Sequence, residues 1–315
     1  MKSDLSTVAF LCSGQGSQFV GMAKDLYDSH ELAKSRFSEA QRILGYDIAE
    51  ICFNGPEDVL RQTRVTQPAL YIHSMIVGEL LAEHSILPSC AGGHSLGEYS
   101  ALASAAAFTF ETGLELVRVR AEAMQEAGNR QPGTMAAVVG ISNETVEQIC
   151  ADCRNVGIVV PANYNSPGQL VISGEIPAVE KAMELCKSAG AKLVRKLVVS
   201  GAFHSPLMES AAAKLGNALA ECDIRSPRVP VVSNVSGEVH SDVDSIRQSL
   251  ASQLLSPVRW TDCLVSLNNL RPAKWYEVGP GNVLTGLLKR TIAGESAETV
   301  GTQSEIERIL SEVEE

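Results

Sequence analysis

Cys90-Ala-Gly-Gly-His-Ser-Leu-Gly-Glu-Tyr-Ser100 carries the pattern G-x-S-x-G at Gly93, Ser95 and Gly97. In a strand-to-helix elbow such glycines let neighbouring backbones pass closely, so the serine projects at the turn and the helix behind it offers free N–H donors. The small-residue segment 95–107 has the helical tendency this requires. Ser95 is therefore a candidate nucleophile. A lone G-x-S-x-G also reads as a plain turn, so the rest of the chain has to decide.

Upstream, residues 7–12 are an apolar run of strand formers that leads straight into the glycine loop Ser13-Gly-Gln-Gly-Ser-Gln18. Helical periodicity at 25–44, 67–83 and 111–127 makes the first 127 residues α/β. From Thr134 the texture changes. A strand at 135–139, a helix capped by Ser142 and running to about 153, strands at 157–163 and 169–173 joined by the turn Asn165-Ser-Pro-Gly168, a helix at 177–189 and a strand at 192–199 give the order β-α-β-β-α-β. That order is the ferredoxin-like unit. The α/β pattern then resumes, with a helix at 206–221, a strand at 229–234, helices at 245–255 and 261–270, a strand at 275–278 and a helix from Asn282. Thr302 and Glu305 form a capping box for a last helix. The expected organisation is one large α/β subdomain, 1–129 and 199–315, interrupted by a ferredoxin-like small subdomain, 130–198.

At 315 residues the chain is long enough for such an arrangement, and 45% hydrophobic against 20% charged residues excludes a disordered or fibrous chain. A net charge of −11 argues against nucleic acid as a partner, which needs a basic stripe to replace phosphate counterions. No apolar run reaches bilayer length and no signal-peptide core follows Met1, so the expected location is the cytoplasm, with no membrane partner. The eight cysteines are scattered and read as reduced thiols. Cys150 and Cys153 form a lone C-x-x-C inside an amphipathic helix, without the second ligand pair a zinc site needs, so no metal is expected.

A serine needs a base, and the chain offers six histidines. His94 adjoins Ser95, but adjacent side chains diverge, which makes it a structural neighbour. His30, His73 and His84 lie in or beside helices as surface or packing residues. His204 follows a strand and precedes a helix, where α/β sheets place their ligand loops, and a neutral imidazole there suits a general base. The Gly14-Gln-Gly16 loop is not a dinucleotide fingerprint, because Phe19 stands where the third glycine belongs. It is better read as backbone brought close to a reacting group.

Taken together, Ser13–Gln18, Gly93–Tyr99, Val117-Arg-Val-Arg120, Asn163-Tyr-Asn-Ser-Pro-Gly-Gln169, Gly201-Ala-Phe-His204 and Gly279-Pro-Gly281 resemble the malonyl-CoA:acyl carrier protein transacylase family, in the family's order from about residue 7 to 291. The resemblance implies an α/β-hydrolase-like large subdomain around the ferredoxin-like one. It implies a Ser-His dyad of Ser95 and His204, an oxyanion hole from the backbone N–H groups of Gln15 and Leu96, and Gln253 as the residue whose main-chain carbonyl orients the histidine. Arg120 takes the place of the guanidinium that holds the malonyl carboxylate. Asn163 and Asn165 lie in the cleft-facing loop and contact the acyl donor, and Phe203 fits the malonyl-selective version of its motif. The implied substrates are malonyl-CoA and the phosphopantetheine thiol of acyl carrier protein, with no cofactor and a monomer as the default form. Two positions depart from the family: Ser13 replaces a usual proline, which loosens the Gln15 loop, and Arg259 replaces a frequent glutamine.

Three other readings stay open at this level. A trans-acting polyketide synthase acyltransferase would share every motif and differ only in its carrier. A serine esterase or thioesterase would share Ser95, His204 and the oxyanion donors, but has no need of Arg120. A non-catalytic docking protein on the same fold would need none of the three.

Overall fold

The computed structural model describes residues 7–314. Two sheets organise it. Strands β1 (Val8–Cys12), β2 (Cys90–Gly93), β7 (Lys274–Val278) and β8 (Glu298–Val300) form a parallel sheet in the order β2-β1-β7-β8. Strands β3 (Gly133–Val139), β4 (Val159–Ser166), β5 (Gln169–Glu175) and β6 (Leu193–Lys196) form an antiparallel sheet in the order β4-β5-β3-β6. Helices Asn143–Asp152 and Ile176–Ser188 cover the second sheet with Val146, Ile149, Val179 and Ala182. The order β-α-β-β-α-β expected of this stretch is present, and Ser142 caps its first helix by accepting from Thr145 N at 3.2 Å.

In the parallel sheet β1 is buried along its whole length, as the unbroken apolar run 8–12 requires of a central strand. Alternate residues face opposite sides. Phe10 joins the large core under helices Thr63–Glu83 and Phe110–Arg130, while Ala9 and Leu11 join Trp260, Trp275 and Leu288 on the other face. Because β1 and β2 are parallel, both end at the same edge, and the loops that follow them lie side by side. His94 N donates to Cys12 O at 3.2 Å across that edge.

Glycine makes this approach possible. A Cβ on Gly97 would lie 2.1 Å from Cys12 O, one on Gly14 would lie 2.4 Å from His94 O, and one on Gly93 would lie 2.0 Å from the Gly97 carbonyl. These neighbours are backbone and have no rotamer to move.

Several sequence expectations shift in detail. The periodic segment 25–44 is two helices, Lys24–Ser29 and Glu31–Leu44, broken at His30, which is extended and caps the first. The expected strand at 229–234 is only bridges, Ala91 with Val231 and Val232 with Val239, because Pro230 has no N–H to donate to a ladder. The strand expected at 192–199 ends at Lys196, and beyond it Val198 is 84% exposed. Strand β8 is too short to show a period. The capping box is reciprocal as expected, with Glu305 N donating to Thr302 Oγ1 and Thr302 N to Glu305 Oε2. Cys150 and Cys153 are buried against the antiparallel sheet, and burial pushes the Cys150 thiol up to about 12.

Replacing Gly97 by alanine is expected to cost about 3 kcal/mol or more, since the clash is with the backbone of Cys12 and Ser13 at the end of β1. Gly216→Ala, inside helix Glu209–Glu221 with nothing near its side-chain position, is expected to gain about 0.5 to 1 kcal/mol. Urea midpoints of the two variants should move in opposite directions.

Candidate active site

The elbow places Ser95 between β2 and helix Gly97–Ser104, at φ 54°. A non-glycine residue in this region costs about 1 to 3 kcal/mol and persists only where the surroundings impose it. Asn234 does much of the imposing. Its side chain, fully buried, accepts from Ser95 N at 2.6 Å and donates to Gly93 O at 2.8 Å, so one amide brackets both sides of the turn.

The second element is the loop after β6. Its backbone presses on helix Phe110–Arg130, where a Cβ on Gly128 would lie 2.3 Å from Ser200 O. Ser205 bonds back to Ala202 O and caps the 3₁₀ turn Pro206–Met208 that opens helix Glu209–Glu221. Between them sits His204, also at positive φ (57°) and 4% exposed.

His204 Nε2 lies 2.8 Å from Ser95 Oγ. Its Nδ1 lies 2.9 Å from Gln253 O and 3.2 Å from Ser256 O. Gln253 caps the C-terminal end of helix Val243–Ser252, where carbonyls run out of partners inside the helix, and its carbonyl faces the imidazole N–H. Two carbonyls can only accept, so Nδ1 carries the proton and Nε2 presents its lone pair to the serine. Burial first, and then the nearby Arg120 charge, push the His204 pKa down to about 3, so the ring is neutral across the ordinary pH range.

Arg120 comes from the middle of helix Phe110–Arg130 and is 1% exposed. Its Nη1 donates to Gln67 Oε1 at 2.7 Å; its Nη2 donates to Gln253 Oε1 at 2.8 Å and to Ser95 Oγ at 2.9 Å. Its Nε has no protein partner among the described residues. Burial pulls the guanidinium's pKa below its usual value. The Ser95 hydroxyl thus accepts from a cation while donating to a neutral imidazole, and both contacts favour loss of its proton.

The remaining expected residues fall as follows. Gln15 is half-buried, its side chain 3.5 Å from Thr63 Oγ1, and among the described residues neither Gln15 N nor Leu96 N donates to a protein acceptor. Asn165 Oδ1 lies 2.9 Å from Nε2 of His94, whose ring packs edge-on to Trp260 at 5.5 Å. Asn163 is buried where β4 bridges to Val258. Phe203 is buried in the large core. Ser13 does not loosen its loop: fully buried, it donates to Pro280 O at 3.1 Å and ties the Gly279–Gly281 turn to the end of β1. Arg259 is exposed and paired with Asp262 at 2.7 Å.

The sequence reading passed over Gln67, Asn234, Glu98 and His240. Glu98 lies inside the quoted elbow, and His240 is among the counted histidines. No local pattern marks either one, because their partners come from segments about 140 residues away.

The chain matches the family model of the acyl transferase domain over residues 9–311. It is 43% identical over 303 residues to the malonyl CoA-acyl carrier protein transacylase of Bacillus subtilis (strain 168), covering 94% of this chain and 96% of that one. Among solved structures, the malonyl-CoA:acyl carrier protein transacylase (FabD) of Xanthomonas oryzae pv. oryzae superposes with a TM-score of 0.93 at 40% identity, covering 98% of each chain. The PlMCAT:AntF complex, a type II PKS acyl-carrier protein with its malonyl-transacylase, gives a TM-score of 0.93 at 40% identity over 98% of this chain and 100% of that one.

In an NMR titration the His204 ring should remain neutral at pH 5. In Arg120→Ala, loss of the neighbouring positive charge should move its titration upward while burial keeps it below the ordinary histidine value.

Proposed function

This chain belongs to the malonyl CoA-acyl carrier protein transacylase family, and from that membership we propose that it transfers malonyl from malonyl-CoA to the phosphopantetheine thiol of acyl carrier protein through an acyl-serine on Ser95. The observation that carries the reading is the contact of Ser95 Oγ with both His204 and Arg120.

His204 Nε2 takes the Ser95 proton as Oγ attacks the thioester carbonyl. The carbonyl oxygen becomes an oxyanion held by the N–H groups of Leu96 and Gln15, donors already in place before the charge develops. Collapse breaks the carbon–sulfur bond, and the proton on His204 passes to the departing CoA sulfur. The carrier's thiol then gives its proton to His204, attacks the malonyl-serine, and the proton returns to Ser95 Oγ. No cofactor enters this cycle.

Arg120 receives the free malonyl carboxylate. Its Nε and Nη2 share one edge of the guanidinium plane, the edge that takes a carboxylate in two parallel bonds. An esterase or thioesterase has no use for a buried cation against its nucleophile. Asn163, Asn165 and Phe203 shape the acyl side of the cleft, with Asn165 acting through His94. The cleft lies between a large unit, 1–129 and 199–315, and a small one, 130–198, which supply Ser95, Arg120 and His204 on one side and Asn163 and Asn165 on the other. The working form is a monomer. Among the described residues no helix is long and apolar enough to cross a membrane, and we place the protein in the cytoplasm, where its free cysteines stay reduced.

Ser95→Ala should carry no malonyl adduct in intact-mass spectra, whereas the parent chain incubated with malonyl-CoA gains one malonyl group. Arg120→Ala should lower malonyl transfer relative to acetyl transfer by about 10- to 150-fold, the loss of one charge-assisted pair worth about 1.5 to 3 kcal/mol. Equal losses for both acyl groups would assign Arg120 another job. Release of free malonate as fast without carrier as with it would make the protein a thioesterase.

A further inference from the structure

Arg120 is almost fully buried, yet each of its polar partners is neutral: Gln67 Oε1, Gln253 Oε1 and Ser95 Oγ. A buried guanidinium ordinarily sits against a carboxylate, because an unpaired buried charge is costly. Here the carboxylate stands one group away. Glu98 is 0% exposed, and its Oε2 accepts from Gln253 Nε2 at 2.6 Å, while the other end of the same amide, Oε1, accepts from Arg120 Nη2 at 2.8 Å.

Other contacts hold Glu98 in this position. Asn234 N donates to Oε2 at 3.1 Å, and His240, itself buried, places Nε2 3.0 Å from Oε1. The Gln253 amide is held as firmly, since its Nε2 also donates to Ser95 O at 3.1 Å. A reversed amide would set its NH2 against the guanidinium and its oxygen against the carboxylate, so charge alone fixes its orientation.

We propose that Glu98 is the counter-charge of Arg120, held off by the Gln253 amide, and that this spacing sets the preference of the site for an acyl group bearing a carboxylate. The inference rests on the reading that Arg120 receives the malonyl carboxylate. Glu98 offsets the cost of burying the cation. The interposed amide prevents a direct ion pair that would occupy the guanidinium, and it keeps Glu98 farther from the incoming carboxylate, which it would otherwise repel. Glu98 and the Gln253 side chain are in this sense positioning residues that act through Arg120. The Gln253 carbonyl that meets His204 is a separate contact of the same residue.

The exchange variant Glu98→Gln/Gln253→Glu tests this, because it keeps the net charge and nearly the same shape while placing the carboxylate directly on Arg120. The ratio of kcat/KM for malonyl-CoA to that for acetyl-CoA is expected to fall at least about tenfold, with the change mostly in KM for malonyl-CoA. An unchanged ratio, or equal losses on both substrates, would mean that the cluster only supports the fold, and would overturn the proposal. Arg120→Ala in the same assay separates the two levels. If it leaves the ratio intact, the assignment of the malonyl carboxylate to Arg120 is wrong; if it collapses the ratio while the exchange variant keeps it, only the role given to Glu98 is wrong. Should circular dichroism show the exchange variant unfolded, Gln253→Glu alone places a carboxylate on Arg120, with the same expected fall and the same contrary result.

Discussion

Everything at the catalytic edge depends on two backbones that touch. The loop after β1 and the elbow after β2 meet at Gly14, Gly93 and Gly97, where no side chain fits. That contact is steric and tolerates no adjustment, so it fixes where Ser95 stands relative to Gln15. The positive φ of Ser95 follows from it, and Asn234 holds the strained turn from outside. Stability and reactivity are thus coupled at one place, as expected where a fold stores strain beside a nucleophile.

Around this point the polar groups form one connected set. Ser95 meets His204 and Arg120; Arg120 meets Gln67 and Gln253; Gln253 meets Glu98 and, through its carbonyl, His204; Glu98 meets Asn234 and His240. Arg120 Nε and His240 Nδ1 lack a protein partner among the described residues, but His204 Nδ1 and both ends of the Gln253 amide are satisfied. The consequence is that His204 has a single tautomer and Gln253 a single amide orientation, neither of which needs a third acidic residue of the kind found in Ser-His-Asp sites. Neutrality of the imidazole comes from burial and from Arg120, so the group proposed to receive the malonyl carboxylate also keeps the proposed base neutral.

The elbow, the strand at 7–12 and the β-α-β-β-α-β order were legible because each rests on local pattern: glycine spacing, an apolar run, alternating periods. Ser95, His204 and Arg120 were reached through spaced motifs, and the structure brings them within hydrogen-bond distance. What escaped was of two kinds. Breaks such as His30, and bridges such as Val231, depend on tertiary pairing and on a single proline. Glu98, Asn234 and Gln67 gain their meaning only from partners far along the chain. Arg120 itself, judged by its charge alone, reads as an exposed helix residue; yet it stands three or four positions from Leu116, Val117, Ala123 and Met124, on the face that helix Phe110–Arg130 buries.

The orientation of His204 comes from the carbonyls of Gln253 and Ser256, and the N–H groups proposed for the oxyanion are those of Leu96 and Gln15, which donate to no protein acceptor among the described residues. All four are main-chain groups, shared by every amino acid except for the missing N–H of proline. An alanine scan would therefore pass over half of this machinery in silence. To see it, the peptide bond itself has to be edited, for example by replacing one amide with an ester so that a single N–H vanishes and every side chain stays.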